Sequence, residues 1–514
     1  MTALAELVRV SGQVAATPSR LAKIRALADF LRPLAREEIE IALPYLSGDI
    51  RQGKLAVGYA SLQAARAHAA GAASLTLQEV DQAFAALKQV KGKGAAERRS
   101  AVLRELFARA LAMEQDFLVR LIVGELRQGA LEGIMVEAVA AAAFLPAADV
   151  RRAVAYAGAI APVAAAVLGG GGEGGAAALA QFSVQLMQPV LPMLAQPAAD
   201  MPAALAALGT ALVEWKLDGA RVQVHKRGEE VRIYTRNLND VTSRAPEIVS
   251  AVRSAAAREL ILDGEAIALR ADGRPHPFQV TMSRFGSQQD PRAAERPLSV
   301  FFFDCLLRDG TVLFDHPTRE RRAALSAALP TALVTPAIVT ADVGEAQRFY
   351  EQALGAGHEG VMAKALEAPY EAGRRGAAWL KVKRARTLDL VVLAAEWGHG
   401  RRRGWLSNLH LGARDPRTGD FVMLGKTFKG LTDAMLEWQT HEFLKRETRR
   451  DQWTVQLRPE LVVEIAFNDL QESSQYPGGL ALRFARVKGY RPDKRPEDAD
   501  TIDTVRRIYQ ESLA

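Results

Sequence analysis

The spacing of apolar residues along the chain changes from a helical period to a strand period. In the first third, apolar positions recur at helical spacing, as at Val80 and Phe84 after a capping box formed by Thr76 and Glu79. The run 100–123 keeps the same period and is predicted to be helical. Alternating patterns are scarce before about residue 210. These patterns predict an all-helical N-terminal region.

From residue 211 the period becomes two, which is typical of strands. The predicted strands are 211–216, 222–226, 231–235, 260–269, 298–307, 388–396, 405–413, 421–426, 461–467 and 482–487. Short strands at the spacing seen after residue 384 suit a small barrel. We therefore predict a multidomain fold: an all-α domain over 1–187, an α+β domain over 188–383 and a β-barrel domain over 384–514. The first boundary is expected between about 176 and 205.

An internal repeat lies within the helical region. Residues 46–55 and 122–131 share the pattern Gly-acid-aliphatic-Arg-Gln-Gly-x-Leu. Glycines at helix ends leave backbone N–H groups uncovered, so the repeat could bind phosphates, with the two arginines adding charge-assisted contacts. Equally, the glycines could serve only as helix C-caps. The sequence leaves both interpretations open.

Two loops are predicted from local composition. The glycine-rich segment 169–175 is expected to be a flexible loop, and it is not a phosphate-binding P-loop because no Gly-Lys-Ser/Thr closes it. The basic run 399–404 is flanked by glycines, so it either contacts a nucleic-acid backbone or is a solvated loop.

Composition narrows the class of protein. The 514 residues are 49% hydrophobic and 24% charged, with a mean hydropathy of −0.03, which is typical of a globular protein and against a membrane protein or a disordered chain. Cys305 is the single cysteine, so an intramolecular disulfide and a cysteine zinc cluster are excluded, and a cytoplasmic location is expected. The net charge of +7 permits a polyanionic partner without requiring one.

The segment 214–221 is the sharpest candidate for chemistry. In it, Lys216 ends a predicted strand and is followed by Asp218, Gly219 and Arg221. A lysine acts as a nucleophile when its amine loses a proton, and nearby cations favour that loss. The short Lys-x-Asp-Gly pattern alone is weak, because a surface lysine before an Asp-Gly turn is common.

Further blocks downstream make the pattern specific. They lie at 236–242, 262–265, 301–304, 359–364, 379–383 and 482–494. In this order they resemble the nucleotidyltransferase motifs of the ATP-dependent DNA ligases, and the resemblance extends from about 188 to the end. It implies an adenylyltransferase domain followed by an OB-fold, with the helical region as a DNA-binding domain. The same motif set occurs in RNA ligases and messenger-RNA capping enzymes.

The resemblance implies roles for individual residues. Lys216 would attack the α-phosphate of ATP, giving a lysyl-AMP intermediate and pyrophosphate. Arg221, Lys381 and Lys383, with a divalent ion, would neutralise the phosphate and lower the pKa of Lys216. Oxygen ligands suit Mg²⁺, so Glu265 and Glu359 are expected to bind it.

The other implied roles concern the base, the ribose and pyrophosphate. Glu214 would read the amino edge of adenine, with Phe303 on one face and Val361 or Met362 on the other. Glu265 would also contact the ribose, and Arg236 would reach phosphate or ribose. Arg491 and Lys494 would orient pyrophosphate.

Simpler interpretations stay open for several of these residues. Phe303 could be plain core, Lys364 could be a solvated surface charge, and Asp304 is expected to support structure. In the last motif, Gly489 stands where the family commonly has arginine, and Lys488 lies beside it.

The sequence thus predicts an ATP-dependent DNA ligase that seals nicks in double-stranded DNA. It is expected to be a monomer that does not bind a membrane, and its protein partners are unknown. ATP is preferred to NAD⁺ because a chain with one cysteine cannot build the four-cysteine zinc module of the NAD⁺-dependent ligases. The alternatives are an RNA ligase, an RNA-capping nucleotidyltransferase, or a non-catalytic nucleic-acid clamp.

Overall fold

The computed structural model describes residues 1–66, 69–126, 132–169, 175–285, 297–384, 386–399 and 402–513. Parts of both predicted loops, 170–174 and 400–401, lie outside the described residues. Helices form the first region, mixed helices and strands the second, and mainly strands the third. The three-part fold class is therefore confirmed, while the exact domain boundaries stay predictions. Among the described residues, no helix is both long and apolar enough to cross a membrane.

The N-terminal region is a stack of short helices around one hydrophobic core. The helices are α1 (Leu4–Ala16), α2 (Arg20–Leu31), α3 (Arg36–Ser47), α4 (Tyr59–Ala65), α5 (Leu77–Gln89), α6 (Ala95–Arg109), α7 (Ala112–Val123), α8 (Glu132–Ala143), α9 (Ala147–Ala157), α10 (Ile160–Leu168) and α11 (Gly175–Leu179). The predicted capping box is present, because Thr76 accepts from the backbone of Glu79 at the start of α5. Leu77, Val80 and Phe84 on this helix are buried, as the helical period predicts.

The predicted helical run 100–123 is confirmed, and it is divided between α6 and α7. Ala110 and Leu111 both have extended backbones. The side chain of Glu114, which is buried, accepts a 2.7 Å hydrogen bond from the backbone N–H of Leu111. A carboxylate that accepts from this backbone group favours a new helix start, and the apolar period alone does not reveal it.

The internal repeat places its first glycines at equivalent helix ends. Gly48 follows α3 and Gly124 follows α7, and both have left-handed backbones, with φ of 84° and 74°. This geometry matches the C-cap interpretation for these two glycines. In the first copy, Arg51 approaches the carboxylate of Asp81 at 3.5 Å. The end of the second copy, 127–131, lies outside the described residues.

The middle region contains two five-stranded sheets. Its elements are β1 (Leu194–Pro197), α12 (Met201–Leu208), β2 (Ala211–Lys216), β3 (Ala220–Arg227), β4 (Glu230–Thr235), α13 (Pro246–Arg253), β5 (Glu259–Ala268), α14 (Phe278–Phe285), β6 (Leu298–Arg308), β7 (Thr311–Val312), α15 (Thr318–Ala328), β8 (Ala337–Thr340), α16 (Val343–Gly355), β9 (Gly360–Ala365) and β10 (Arg375–Lys383). The strand orders are β1-β10-β9-β2-β8 and β4-β3-β5-β6-β7. The five strands predicted for this region are confirmed as β2 to β6, with small differences at their ends. The strands β1, β7, β8, β9 and β10 were not predicted.

The C-terminal region is built on one larger sheet. Its elements are β11 (Arg386–Trp397), β12 (Leu406–Arg414), β13 (Phe421–Thr427), α17 (Asp433–Lys445), β14 (Glu447–Arg450), β15 (Thr454–Leu457), β16 (Val462–Phe467), β17 (Asp469–Glu472), β18 (Leu480–Arg483), β19 (Arg486–Tyr490) and α18 (Ile502–Leu513). In that sheet β11 pairs with β12, β15 and β16. A single strand over 482–487 was predicted wrongly. The chain turns at Phe484, whose φ is 56°, so two strands form instead.

A buried ion pair fixes α15 to the second sheet of the middle region. Arg321 is fully buried, and its guanidinium donates to both carboxylate oxygens of Asp304, at 2.8 and 3.2 Å. Its remaining donors reach backbone oxygens of His316 and Ala368. Asp304 is only 2% exposed, so this residue supports structure, as the sequence interpretation expected.

Replacing Arg321 by leucine should destabilise the protein, because it leaves the Asp304 carboxylate buried without its cation. We expect the free energy of unfolding to fall by about 3–5 kcal/mol, measured by urea denaturation. Arg319→Leu on the exposed side of the same helix is the matched control and should change it by no more than about 0.5 kcal/mol. Equal losses in the two variants would contradict this account.

Candidate active site

A cavity of about 740 Å³ lies between the two sheets of the middle region, with part of the C-terminal region at its edge. Its volume is in the usual range for small-molecule sites, about 300–1,000 Å³. Most of the predicted site residues line it, namely Glu214, Lys216, Arg221, Arg236, Glu265, Phe303, Glu359, Met362, Lys381 and Lys383. Residues from separate blocks of the sequence therefore meet in one cavity.

Strand alternation explains how the basic residues converge. Lys381 and Lys383 are two positions apart on β10, so both point to the same face of the sheet. Lys216 on β2 and Lys383 on β10 both pair with Gly360 on the strand between them. A side chain at Gly360 would place its Cβ 2.2 Å from the carbonyl oxygen of Val382. Only glycine therefore lets the three strands approach closely at this point.

Lys216 is held by carboxylates. Its ammonium forms an ion pair with Glu359, and Lys383 donates to the same carboxylate at 2.8 Å. Burial favours the neutral amine, but the negative charges of Glu359 and Glu265 outweigh it and raise the pKa of Lys216. The cations of the site were expected to lower this pKa, so for the protein's own side chains that prediction is wrong. The expectation counted the neighbouring cations and omitted the closer carboxylates.

The two other lysines of the cavity behave in the opposite way. Burial and the nearby ammonium of Lys383 lower the pKa of Lys381. Burial and the ammonium of Lys216 lower the pKa of Lys383, although Glu359 opposes that shift. Lys216 therefore differs from both neighbours in the direction of its shift.

Two further carboxyl groups are affected by burial. Burial raises the pKa of Glu265 to about 7 and that of Asp218 to about 6, and nearby carboxylates add to both shifts. Glu265 also accepts from the backbone N–H of Gly219 at 3.2 Å. A Cβ at Gly219 would lie 2.3 Å from the carbonyl oxygen of Ala266, so the Asp-Gly turn needs glycine to pack here.

The opposite end of the cavity is more apolar. Phe303 and Met362 line it, whereas Val361 is fully buried in a separate core, which decides between Met362 and Val361 for this wall. Glu214 lines the same cavity, and its carboxylate forms an ion pair with Lys364 at 2.6 Å. Lys364 is fully buried, so the alternative of a solvated charge is wrong for this residue.

Arg221 is held mainly by protein groups. Its guanidinium donates to both carboxylate oxygens of Asp263 and to the carbonyl oxygen of Met193. It also lies 3.2 Å from the hydroxyl of Tyr370. Arg221 borders the cavity, yet most of its donors are used to connect β3, β5 and the segment before β1.

The last motif is split between two locations. Arg491 and Lys494 do not line the described cavity, because both pair with Asp389 on the C-terminal sheet. Arg483 from the same motif instead reaches Asp218, at 3.5 Å, and borders the cavity. This contact connects the C-terminal region to the turn after Lys216.

Several cavity residues were not identified from the sequence. Thr335, Phe278 and Asn468 line the cavity without belonging to any of the quoted blocks. Phe484 also lines it, next to Arg483, and is 59% exposed. No local pattern marks Thr335, Phe278 or Asn468, which reach the cavity through long-range packing, whereas Phe484 lies inside the last quoted block.

The acidic residues permit a metal ion without forming a complete protein cage. Within the described residues, no group of three or more histidine, cysteine, aspartate or glutamate side chains is arranged to hold a metal. Mg²⁺ commonly uses one or two carboxylates together with substrate phosphates. Glu265 and Glu359 border the same cavity, and carboxylate oxygens suit such a hard cation.

Comparison with known families gives a consistent result over most of the chain. Residues 55–140 match the DNA ligase N terminus, 192–383 the ATP dependent DNA ligase domain, and 402–494 the ATP dependent DNA ligase C terminal region. The fold and the matched domains define a nucleotidyltransferase. The chain belongs to the ATP-dependent DNA ligase family, and it is an enzyme of that class.

Similar proteins span the whole chain. A "Probable DNA ligase" of Anaeromyxobacter sp. (strain Fw109-5) is 59% identical, with 99% of each chain covered. A protein of the same name from Mycolicibacterium gilvum is 56% identical over 99% of each chain. A solved structure named "Pmar-Lig_PreS3" has a TM-score of 0.63 and 17% identity, covering 94% of this chain and 99% of that one, and it supports the fold alone.

The raised pKa of Lys216 has a measurable consequence in protein freed of nucleotide and metal. Acylating reagents attack only the neutral amine, so Lys216 should become reactive at higher pH than Lys381, whose pKa is lowered. Glu359→Gln removes the negative charge next to Lys216 and should shift its reactivity to lower pH. Peptide mass mapping across a pH series measures both effects.

Glu371→Gln, outside the cavity, is the control for that experiment and should leave the pH dependence of Lys216 unchanged. If Lys216 reacts at lower pH than Lys381, or if Glu359→Gln has no effect, the assigned electrostatics are incorrect.

Proposed function

We propose that this ligase seals nicks in duplex DNA with Lys216 as its nucleophile. The Nζ atom of Lys216 attacks the α-phosphorus of ATP, the bond to the β-phosphate breaks, and pyrophosphate leaves. AMP then passes from Lys216 to the 5′-phosphate at the nick. The 3′-hydroxyl attacks that phosphate, the phosphodiester bond forms, and AMP leaves. The observation that carries this proposal is the position of Lys216 in a cavity with cations at one end and an apolar slot at the other.

The surrounding residues suit the parts of ATP. Phe303 and Met362 would enclose adenine, and Glu214 would accept from its amino group. Lys381 and Lys383, together with Arg221 and Arg236 at the cavity wall, would balance the phosphate charge as it increases during attack. Glu265 would also contact the ribose.

Arg491 and Lys494 need a different arrangement to contribute. Both pair with Asp389 on the C-terminal region, away from the cavity. Their proposed role in orienting pyrophosphate therefore requires the C-terminal region to reorient during lysine adenylylation.

We also propose that Glu265 and Glu359 hold Mg²⁺. When bound, this ion would supply positive charge to the phosphate oxygens. The chain's own residues would bind and orient the nucleotide, and Glu359 would release Lys216 as its negative charge is balanced.

The proposed substrate is nicked double-stranded DNA, held by all three regions of a monomer in the cytoplasm. The helical region favours duplex DNA as the substrate, because residues 55–140 match the DNA ligase N terminus. One chain supplies the helices, the cavity and the C-terminal sheet, so a second copy is not needed to complete the site. RNA ligation or capping is not favoured by this match.

The main test uses α-labelled ATP, Mg²⁺ and protein first freed of bound AMP with pyrophosphate. The wild type should take up covalent label and lose it as nicked duplex is sealed, and Lys216→Ala should take up none. Lys426→Ala, which changes a partly exposed lysine on the C-terminal sheet, is the control and should label normally.

Other results separate the alternatives. Label that forms but stays on the protein when nicked DNA is added, and that leaves with an RNA substrate, would favour an RNA ligase or capping enzyme. A folded wild type that takes up no label would contradict the enzymatic proposal and leave the nucleic-acid clamp.

DNA binding should depend steeply on salt. Recognition of any nick sequence must rely on phosphate contacts, which release counterions when they form. We expect the affinity for nicked duplex to fall on the order of a hundredfold or more between about 50 and 200 mM salt, measured by fluorescence anisotropy. An affinity that stays constant over this range would contradict a phosphate-based clamp.

A further inference from the structure

Unsatisfied polar atoms occur on Glu214 and Thr335, which line the cavity, and on Arg322, which contacts both residues. Glu214 Oε2, Thr335 Oγ1 and Arg322 Nη1 are buried and find no hydrogen-bond partner among the described residues. The Glu214 and Arg322 atoms are 3.9 Å apart. A buried polar atom without a partner is costly, so such atoms in a cavity point to a ligand that supplies their hydrogen bonds.

Thr335 is fixed in place by its backbone. Its N–H donates to the carbonyl oxygen of Phe302 at 2.9 Å, and its carbonyl oxygen accepts from Arg322 at 2.6 Å. The next residue, Pro336, accepts from the N–H of Trp215, which lies between Glu214 and Lys216 on β2. Thr335 is therefore held between β2, which carries Glu214, and β6, which carries Phe303.

The hydroxyl is the remaining unsatisfied group of Thr335. The residue is 1% exposed and lines the same cavity as Glu214, Phe303 and Met362. A threonine hydroxyl can donate one hydrogen bond and accept others. Thr335 and Glu214 line the same cavity, and Arg322 contacts both residues, so their unsatisfied oxygens suit a ligand edge that presents a donor and an acceptor side by side.

The edge of adenine has this character. The amino group at N6 donates, and the ring nitrogens on either side of it, N1 and N7, accept. We propose that the Thr335 hydroxyl donates to one of these ring nitrogens while Glu214 accepts from the amino group. This makes Thr335 a base-recognition residue of the site. The inference rests on the proposed use of ATP at Lys216 and adds a specificity contact that the sequence motifs do not contain.

Loss of the Thr335 hydroxyl should affect the use of ATP without lowering the stability of the protein. Thr335→Val keeps the branched shape of the side chain and removes the hydroxyl. Because the hydroxyl has no partner in the described protein, its loss should leave the melting temperature unchanged or raise it. The same change should lower kcat/KM for lysyl-AMP formation from ATP about fivefold, as expected for one neutral hydrogen bond.

A matched control is available in Thr427. Its buried hydroxyl donates to the carbonyl oxygen of Ala485 at 2.6 Å, so it has a structural partner. Thr427→Val should lower the melting temperature and leave the preference among nucleotides unchanged. Thr335→Ser restores the hydroxyl at the tested position and should recover most of kcat/KM for ATP.

The decisive comparison uses 1-deaza-ATP and 7-deaza-ATP, each of which replaces one ring nitrogen by carbon. The wild type should have a lower kcat/KM for the analogue that lacks the contacted nitrogen than for ATP. Thr335→Val should use ATP and that analogue equally well. On the other analogue, Thr335→Val should still have a lower kcat/KM than the wild type. An equal loss on ATP and both analogues, or no loss on ATP, would overturn the proposal. A wild type that forms no lysyl-AMP with any of these nucleotides would instead refute the proposed function.

Discussion

The ion pair between Lys216 and Glu359 constrains the whole site. A buried ammonium is costly unless a carboxylate balances it, and Glu359 balances Lys216 and Lys383 together. The carboxylates favour the protonated form of Lys216, which has no lone pair with which to attack phosphorus. The proposed attack by Lys216 therefore requires that the negative charge of Glu359 be balanced from another source.

The two sheets of the middle region make this constraint possible. β9 runs between β2 and β10, so the Lys216 and Lys383 side chains reach the same carboxylate from opposite sides. The second sheet supplies Glu265 and Phe303 from the facing wall. The C-terminal region adds Arg483, which pairs with Asp218 in the turn after Lys216. The position of the C-terminal region therefore affects the charges around Lys216.

Much of this site was predictable because strand motifs carry their residues in a fixed order. The ordered blocks resemble the motifs of ATP-dependent DNA ligases, and that resemblance implied that Lys216, Lys381 and Lys383 share one site. The structure adds that Lys381 and Lys383 point to one face, because they lie two positions apart on β10. The partners of buried charges were not predictable, since the pairing of Lys364 with Glu214 depends on packing between distant segments. For the same reason Thr335 carried no local signal. The position of Arg491 depends on how a whole region is oriented, which no local pattern encodes.

The location of AMP on the protein tests the central claim most directly. Lys381 and Lys383 share the cavity with Lys216 and have lowered pKa values, so on basicity alone they would be the readier nucleophiles. The account predicts that geometry decides, with tandem mass spectrometry under mildly basic conditions finding AMP on Lys216 alone. AMP on Lys381 or Lys383 in the wild type would contradict it.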